Sequence, residues 1–267
     1  MQTVSEKKGR LHKAYYRNGE HHRAGADVSF GDIVKFFGFR AINIGRWVTK
    51  EEQQIAANLF FDALCDLMLI LNVPEQVISL RGRLSLGFGV GGRKHSCAHY
   101  DASKHQLSLA KNAGGGSLAH EWFHAFDHYI CDKVFENCKP YMFASETWLN
   151  ENHKFIDHPL NLMLSKAFGA VFLDAKSGSA SALMQNSIHA DAQYKIFYYA
   201  RPQEVAARAF ERVVQEHQIK NTFLVAGTKQ SNEASIGLYP SGTDLQNIAH
   251  FISEYFLHLA RSRCLSN

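Results

Sequence analysis

Residues 120–124 read His-Glu-Trp-Phe-His: two imidazoles four positions apart, with a carboxylate directly after the first. On an α-helix, positions i and i+4 share one face, about 6 Å apart along the axis. His120 and His124 can therefore turn ring nitrogens toward a single Zn²⁺ at bonds of roughly 2.0–2.1 Å. Glu121 lies off that line and is placed to reach a water on the metal, where a general base belongs. The spacing has this meaning only on a helix, and the run from Ser117 to Ile130 reads as one, with Ser117 as N-cap after Gly114-Gly115-Gly116. Asp127 follows His120 by seven residues, roughly 10 Å further along the axis, too far to share the metal. It is expected to orient a nearby polar side chain or a histidine ligand. His128 extends the series of fours and is expected in the surrounding pocket; both residues also read as solvated groups near a helix end. A metzincin would place a third histidine at position 130, which is Ile130 here.

A catalytic zinc takes three protein ligands and keeps one position open. Downstream, Pro202-Gln203-Glu204 opens a helix-like run in which Pro202 suits the first position and Glu204 the first turn. Ala206, Ala207 and Ala209 are small enough to let this helix approach the metal helix. Glu204 would complete a His-His-Glu set; an ordinary first-turn glutamate paired with Arg208 is the plain reading. From spacing alone, Asp174, His189, Asp191 and Glu211 stay open as third ligands. Tyr198, Tyr199, Tyr239 and Arg201 are candidates to stabilise a developing oxyanion.

Several of these segments carry a family resemblance. Ala98-His99-Tyr100, the run from Leu109 to His128, and Pro202-Gln203-Glu204 with Ala207-Arg208-Ala209-Phe210-Glu211 resemble the bacterial CLCA-X family. That family is similar in turn to the first large polyvalent protein-associated domain of phage and plasmid proteins. Phe39-Arg40, Gly45-Arg46-Trp47, Phe223-Leu224-Val225 and Tyr239-Pro240 fit the same pattern, so the resemblance runs from about residue 28 to 258, weaker between 132 and 195. It implies an α+β, zincin-like fold of the gluzincin type, with an active-site helix, an adjoining small sheet and a helical C-terminal part. It also implies Glu204 as the third ligand. It supplies no substrate.

The elements that must hold these residues can be read in part. Ala56 to Val73 is Leu- and Phe-rich and about membrane length, but Asn58, Asp62 and Asp66 draw a polar stripe along it. Carboxylates there would be costly in lipid, so the reading is an amphipathic helix and no membrane. Thr49 with Glu52 forms a capping box before it and Pro74 stops it. Val77-Ile78-Ser79-Leu80 and Arg83-Leu84-Ser85-Leu86 are short strand candidates. Gly87, Gly89 and Gly92 match G-x-G-x-x-G, yet no apolar-periodic helix follows and no acidic residue waits about 20 positions on, which argues against a dinucleotide site. Residues 95–101 and 106–111 read as a hairpin leading to the metal helix. In zincins such an edge strand lies above the metal, where it can pair with an extended peptide substrate. Residues 132–197, with a helix-like Leu160–Ala175 and a loose 177–181, read as a lid or a helical subdomain. Thr243 and Gln246 are expected to cap a C-terminal helix facing inward through Leu245, Ile248, Ile252, Tyr255, Phe256 and Leu259.

At 267 residues, 46% hydrophobic and 20% charged, the chain can bury one substantial core. The domain reading is a basic, flexible arm over 1–26 and a single zincin-like domain over 27–267. Lys7, Lys8, Arg10, Lys13, Arg17 and Arg23 against Glu6 and Glu20 give the arm the whole net charge of +4. Such an arm suits nucleic acid or an acidic partner, or is simply solvated chain. No apolar leader opens the sequence. Cys65, Cys97, Cys131, Cys138 and Cys264 contain no C-x-x-C pair. Reduced thiols and a cytoplasmic location follow as expectations. The resulting expectation is a zinc-dependent hydrolase acting on peptide or protein, with one Zn²⁺ per chain. Its rival is a zinc-stabilised nucleic-acid-binding protein. A di-iron site would need a second E-x-x-H helix, which the sequence lacks.

Overall fold

A computed structural model describes residues 10–90, 98–110 and 115–262. Along the chain it forms α1 (Phe30–Phe37), β1 (Ile42–Ile44), α2 (Lys50–Leu71), α3 (Glu75–Ile78), β2 (Ser85–Phe88), β3 (Ala98–Asp101) and β4 (Gln106–Leu109). There follow α4 (Leu118–Val134), α5 (Ala144–Trp148), α6 (Pro159–Phe172), α7 (Ala182–Tyr194), α8 (Pro202–Glu216), α9 (Asn232–Ser235) and α10 (Gly242–Arg261). The fold is thus mixed α+β, with one small sheet and many helices.

The sheet order is β1-β2-β4-β3. β2 runs parallel to both β1 and β4, while β3 returns antiparallel to β4 with Ala98 opposite Leu109 and Asp101 opposite Gln106. β3 is therefore an edge strand, as the hairpin reading requires; residues 95–97 and 111 of that reading, and Gly91 and Gly92 of the glycine motif, lie outside the described residues. β2 and β4 are buried along their whole lengths. Phe30 of α1 and Phe60 of α2 pack on Phe88 of β2, with ring centroids 5.7 and 6.3 Å away, and α4 packs against β3 and β4.

The helix that carries the histidine pair is a core helix. Trp122 is fully buried, stacks on Phe126 at 5.7 Å, meets Phe210 of α8 at 5.6 Å and Phe256 of α10 at 6.1 Å, and donates to the Ile78 carbonyl at 2.9 Å. Burying the Trp122–Phe126 face fixes the rotation of α4, so that residues 120 and 124, also four apart, must share a different face. Ala206, Ala207 and Ala209 of α8 are buried against it, and Phe123 lies 4.8 Å from Phe210.

Several expectations are corrected. Residues 77–80 do not form a strand: Glu75–Ile78 is a helical turn entered from Pro74, a short apolar run whose period is undefined over four residues. α10 begins at Gly242 with Ser241 as N-cap, so Thr243 and Gln246 lie inside the helix and do not cap it. Within 132–197, α6 buries Leu160, Leu164, Phe168 and Phe172 and packs on α10, so this helix is a wall of the core.

The polar stripe on α2 is also not a solvated face. Asp66 is fully buried and takes both Arg17 Nε and Nη2 at 2.6 Å, His22 Nε2 at 2.9 Å and Asn221 Nδ2 at 2.8 Å. Asp62 pairs with Arg23, and Asn58 accepts from the Val28 amide. Residues 10–26 are therefore a packed segment whose two pairing arginines face inward, which replaces the expectation of a flexible arm carrying its charge outward. Residues 1–9, with Lys7 and Lys8, lie outside the described residues. α2 is by length and composition apolar enough to cross a membrane, but 56% of that window is buried in the fold, as in a core helix.

Candidate metal centre

The start of α4 is held from outside the helix. Gly115 lies so close to Phe223 that a Cβ there would come within 2.4 Å of the ring, and Gly116 has φ +110. The glycines are thus required by close approach and by backbone conformation, not only for flexibility. Gly116 N donates to the Phe223 carbonyl at 2.7 Å and Ala119 N to the Leu224 carbonyl at 3.1 Å. Because this loop satisfies the first amides, Ser117 makes no side-chain cap bond, contrary to expectation.

On the next turn the two imidazoles face each other. His120 Nε2 and His124 Nε2 are 3.1 Å apart, with ring planes at 80°. Glu204, in the first turn of α8, closes the group: Oε2 lies 3.4 Å from His120 Nε2 and Oε1 3.5 Å from His124 Nε2. Three ligands on a tetrahedral zinc, at bonds of about 2.0–2.1 Å, are separated by roughly 3.3 Å. The three observed edges fit that figure. Glu204 Oε2 is buried without a hydrogen-bond partner, an unsatisfied acceptor of the kind a cation would complete. Among the described residues this trio forms the metal-capable group, with all three ligand atoms within 4.8 Å of one another; the identity of the metal is not fixed by the geometry.

Electrostatics give the same sense. Burial disfavours charge on His120, but Glu204 and then Glu211 outweigh it and push its pKa up to about 10. Burial likewise opposes ionisation of Glu204, and the His120 and His124 rings nevertheless hold it well below the ordinary carboxylate range. The cluster thus favours a positive charge between these side chains, a proton in the metal-free protein. Metal uptake would displace that proton.

Glu121 lies beside the trio and not in it. Its Oε2 accepts the Tyr100 amide at 2.7 Å, from the edge strand β3. Glu211, weighed earlier as an alternative ligand, is buried two turns after Glu204 and faces the far side of the His120 ring, Oε2 to Nδ1 at 3.2 Å. Tyr239, a candidate oxyanion donor, donates to that same Glu211 oxygen at 3.3 Å. The chain Tyr239–Glu211–His120 fixes the tautomer that leaves Nε2 free for a metal. The seven-residue spacing of Glu204 and Glu211 was the sequence signal for this shared face.

The remaining candidates separate. Asp127 is fully buried and accepts the Ser145 amide at 2.8 Å and hydroxyl at 2.5 Å; it orients α5 and no histidine, and burial pushes its pKa up to about 6. His128 is buried as well: Nε2 donates to the Pro140 carbonyl at 2.7 Å, so Nδ1 accepts the Tyr100 hydroxyl at 2.8 Å. Neither residue is solvated. The Tyr198 phenol lies by the centre, its pKa raised by burial and then by Glu204 and Glu121. Tyr199 gives its carbonyl to Arg208 and packs edge-on against Tyr198, and exposed Arg201 leans toward the Phe197 ring. Arg208 is buried and donates to Leu238 O, Ser187 Oγ and Tyr199 O, so the expected pairing with Glu204 is replaced by bonds to neighbouring elements. Asp174 closes an exposed turn on Ser177, His189 is exposed, and Asp191 accepts amides from Tyr198, Tyr199 and Ala200. None of the three reaches the trio.

In comparison with known proteins, the family model of large polyvalent protein-associated domain 1 matches residues 190–263. This segment contains Glu204, Glu211 and Tyr239 but neither histidine of the trio. It supports the phage- and plasmid-associated part of the resemblance and carries nothing for kinship with the CLCA-X family. No curated protein and no solved structure matches the chain.

Proposed function

We propose that the chain is a zinc-dependent hydrolase of the gluzincin kind and that it cleaves peptide bonds. The observation that carries this reading is the trio of His120, His124 and Glu204, whose mutual spacing fits three zinc ligands, with Glu121 next to it on the same helix. Zinc held there would lower the pKa of a water toward 7 and polarise a scissile carbonyl. The Tyr100 amide steadies one oxygen of Glu121, and in this reading the carboxylate would take a proton from the attacking water and pass it to the leaving amine. Tyr198, which interacts with Glu204 and Glu121, would be the donor for the developing oxyanion. Glu211, itself held by Tyr239, keeps His120 presenting Nε2. α+β architecture and an edge strand touching Glu121 are compatible with a zincin.

The alternative, a nucleic-acid-binding protein of a mobile element, draws on the matched domain at 190–263. It loses ground at the N-terminus, because Arg17 and Arg23 already pair with Asp66 and Asp62. The test is hydrolysis of an unstructured protein such as casein by zinc-loaded protein, with Glu121→Gln as control. The peptidase reading expects chelator-sensitive cleavage that falls at least about 100-fold in the variant while zinc stays bound. Cleavage unchanged in Glu121→Gln, or no cleavage by zinc-loaded wild type across unstructured substrates, contradicts it.

A further inference from the structure

Between the end of α7 and the start of α8, large apolar side chains stand in water. Tyr194 is 50% exposed, Ile196 46%, Phe197 69% and Tyr198 44%. Single exposed apolar residues are ordinary, but a contiguous group of them marks a surface that meets something. This group is also held still. Buried Asp191 accepts the amides of Tyr198, Tyr199 and Ala200 at 3.1, 2.8 and 2.9 Å, and its carbonyl accepts that of Ile196 at 3.1 Å. Tyr199 packs edge-on under Tyr198 at 5.3 Å, and Arg201 lies 5.5 Å from the Phe197 ring centroid. A rigid apolar surface pays little ordering entropy when a partner arrives. Its place is specific as well: the Tyr198 carbonyl accepts the Arg201 amide at 3.2 Å and the Arg201 carbonyl accepts the Glu204 amide at 2.9 Å, so the segment runs straight into the turn that carries Glu204.

We propose that Tyr194, Ile196, Phe197 and Tyr198 form the substrate-binding rim of the metal centre, receiving a polypeptide that presents a large apolar side chain beside the bond offered to the metal. The proposal rests on the peptidase reading for the bond, and on exposure and rigidity for the side chain.

The test uses the full, zinc-loaded chain carrying Glu121→Gln, so that binding is read without turnover. Two fluorescein-labelled peptides, a central Phe or a central Ala in the same Gly-Ser flanks, are titrated by anisotropy. The Phe peptide is expected to bind at least about 10-fold tighter, a difference of about 1.4 kcal/mol. Ile196→Ser with Phe197→Ser, both on exposed positions, should erase that difference, and Phe197→Tyr should retain most of it. Equal binding of the two peptides overturns the proposal. So does tighter binding of a single-stranded oligonucleotide than of the Phe peptide, or a dimer in sedimentation that the double variant dissolves. A clear Phe preference with no cleavage by wild type would keep the rim and remove the peptidase; cleavage with no side-chain preference would do the reverse.

Discussion

Among the described residues, the buried polar clusters around Asp66 and His120 are built on opposite plans. Around Asp66, two arginine nitrogens, a histidine nitrogen and an asparagine amide converge on one fully buried carboxylate, which can accept about four hydrogen bonds. Its acceptor capacity is filled by groups of the chain. Around His120 the inventory is reversed: two imidazole nitrogens and a carboxylate point at one another, and a buried oxygen of Glu204 has no donor. The first cluster is a clasp, complete in itself. The second is a socket, which could hold a metal ion. Burial and charge alone do not separate structure from function here; the count of donors against acceptors does.

The two are mechanically joined. Asn221, which donates to Asp66, also accepts the amides of Phe223 and Leu224, and the carbonyls of those two residues hold the first turn of α4. The clasp therefore anchors the loop on which the socket's helix starts.

The largest expected effect follows from breaking the clasp. Asp66→Ala leaves half-buried Arg17, His22 and buried Asn221 without their shared acceptor and should cost about 1–3 kcal/mol in denaturant unfolding. Deleting residues 1–26 should cost a comparable amount, since it strips Asp66 of Arg17 and His22 and removes buried Leu11. A loss under about 0.5 kcal/mol in both would mean the segment is a removable arm after all.

The socket should respond to pH. In metal-free protein, His120 is raised from 6.5 to about 10 in the fold, with burial opposing and Glu204 and Glu211 prevailing. Its stabilising contribution is fully present below pH 6.5 and is lost as pH rises through about 10. The metal-free thermal midpoint should therefore fall between pH 7 and 10, and saturating zinc should flatten that fall. The same slope with and without zinc would separate His120 from the metal.

A smaller effect is expected behind the ligand. Glu211→Gln should weaken zinc by about 10–100-fold, because the Nδ1 partner that sets the His120 tautomer becomes neutral. Competition with a chelator measures it; an unchanged affinity would make Glu211 a structural carboxylate only.

Much of the socket was legible because it is local. The i, i+4 pair, Pro202 at the head of α8 and Glu204 in its first turn all follow from short-range rules, as does the capping box of Thr49 and Glu52 on α2. The clasp was not legible, since Arg17 and Asp66 are 49 residues apart and Asn221 lies 155 beyond Asp66. A stripe of Asn58, Asp62 and Asp66 has the same pattern whether water or another segment covers it. Cys131 and Cys138, whose sulfurs lie 3.3 Å apart, likewise meet only because the chain turns after α4. Glu211 was visible as a carboxylate but not as the partner of His120 Nδ1, because its role depends on which side of the ring α8 passes.

His120, His124 and Glu204 are proposed to form one metal socket. Elemental analysis of the full chain after zinc reconstitution and desalting, beside Glu204→Ala, tests it most directly. About one zinc per chain is expected in the wild type and a clear loss in the variant with the fold intact. Less than about a fifth of an equivalent in folded wild type, or full retention in Glu204→Ala, would contradict it.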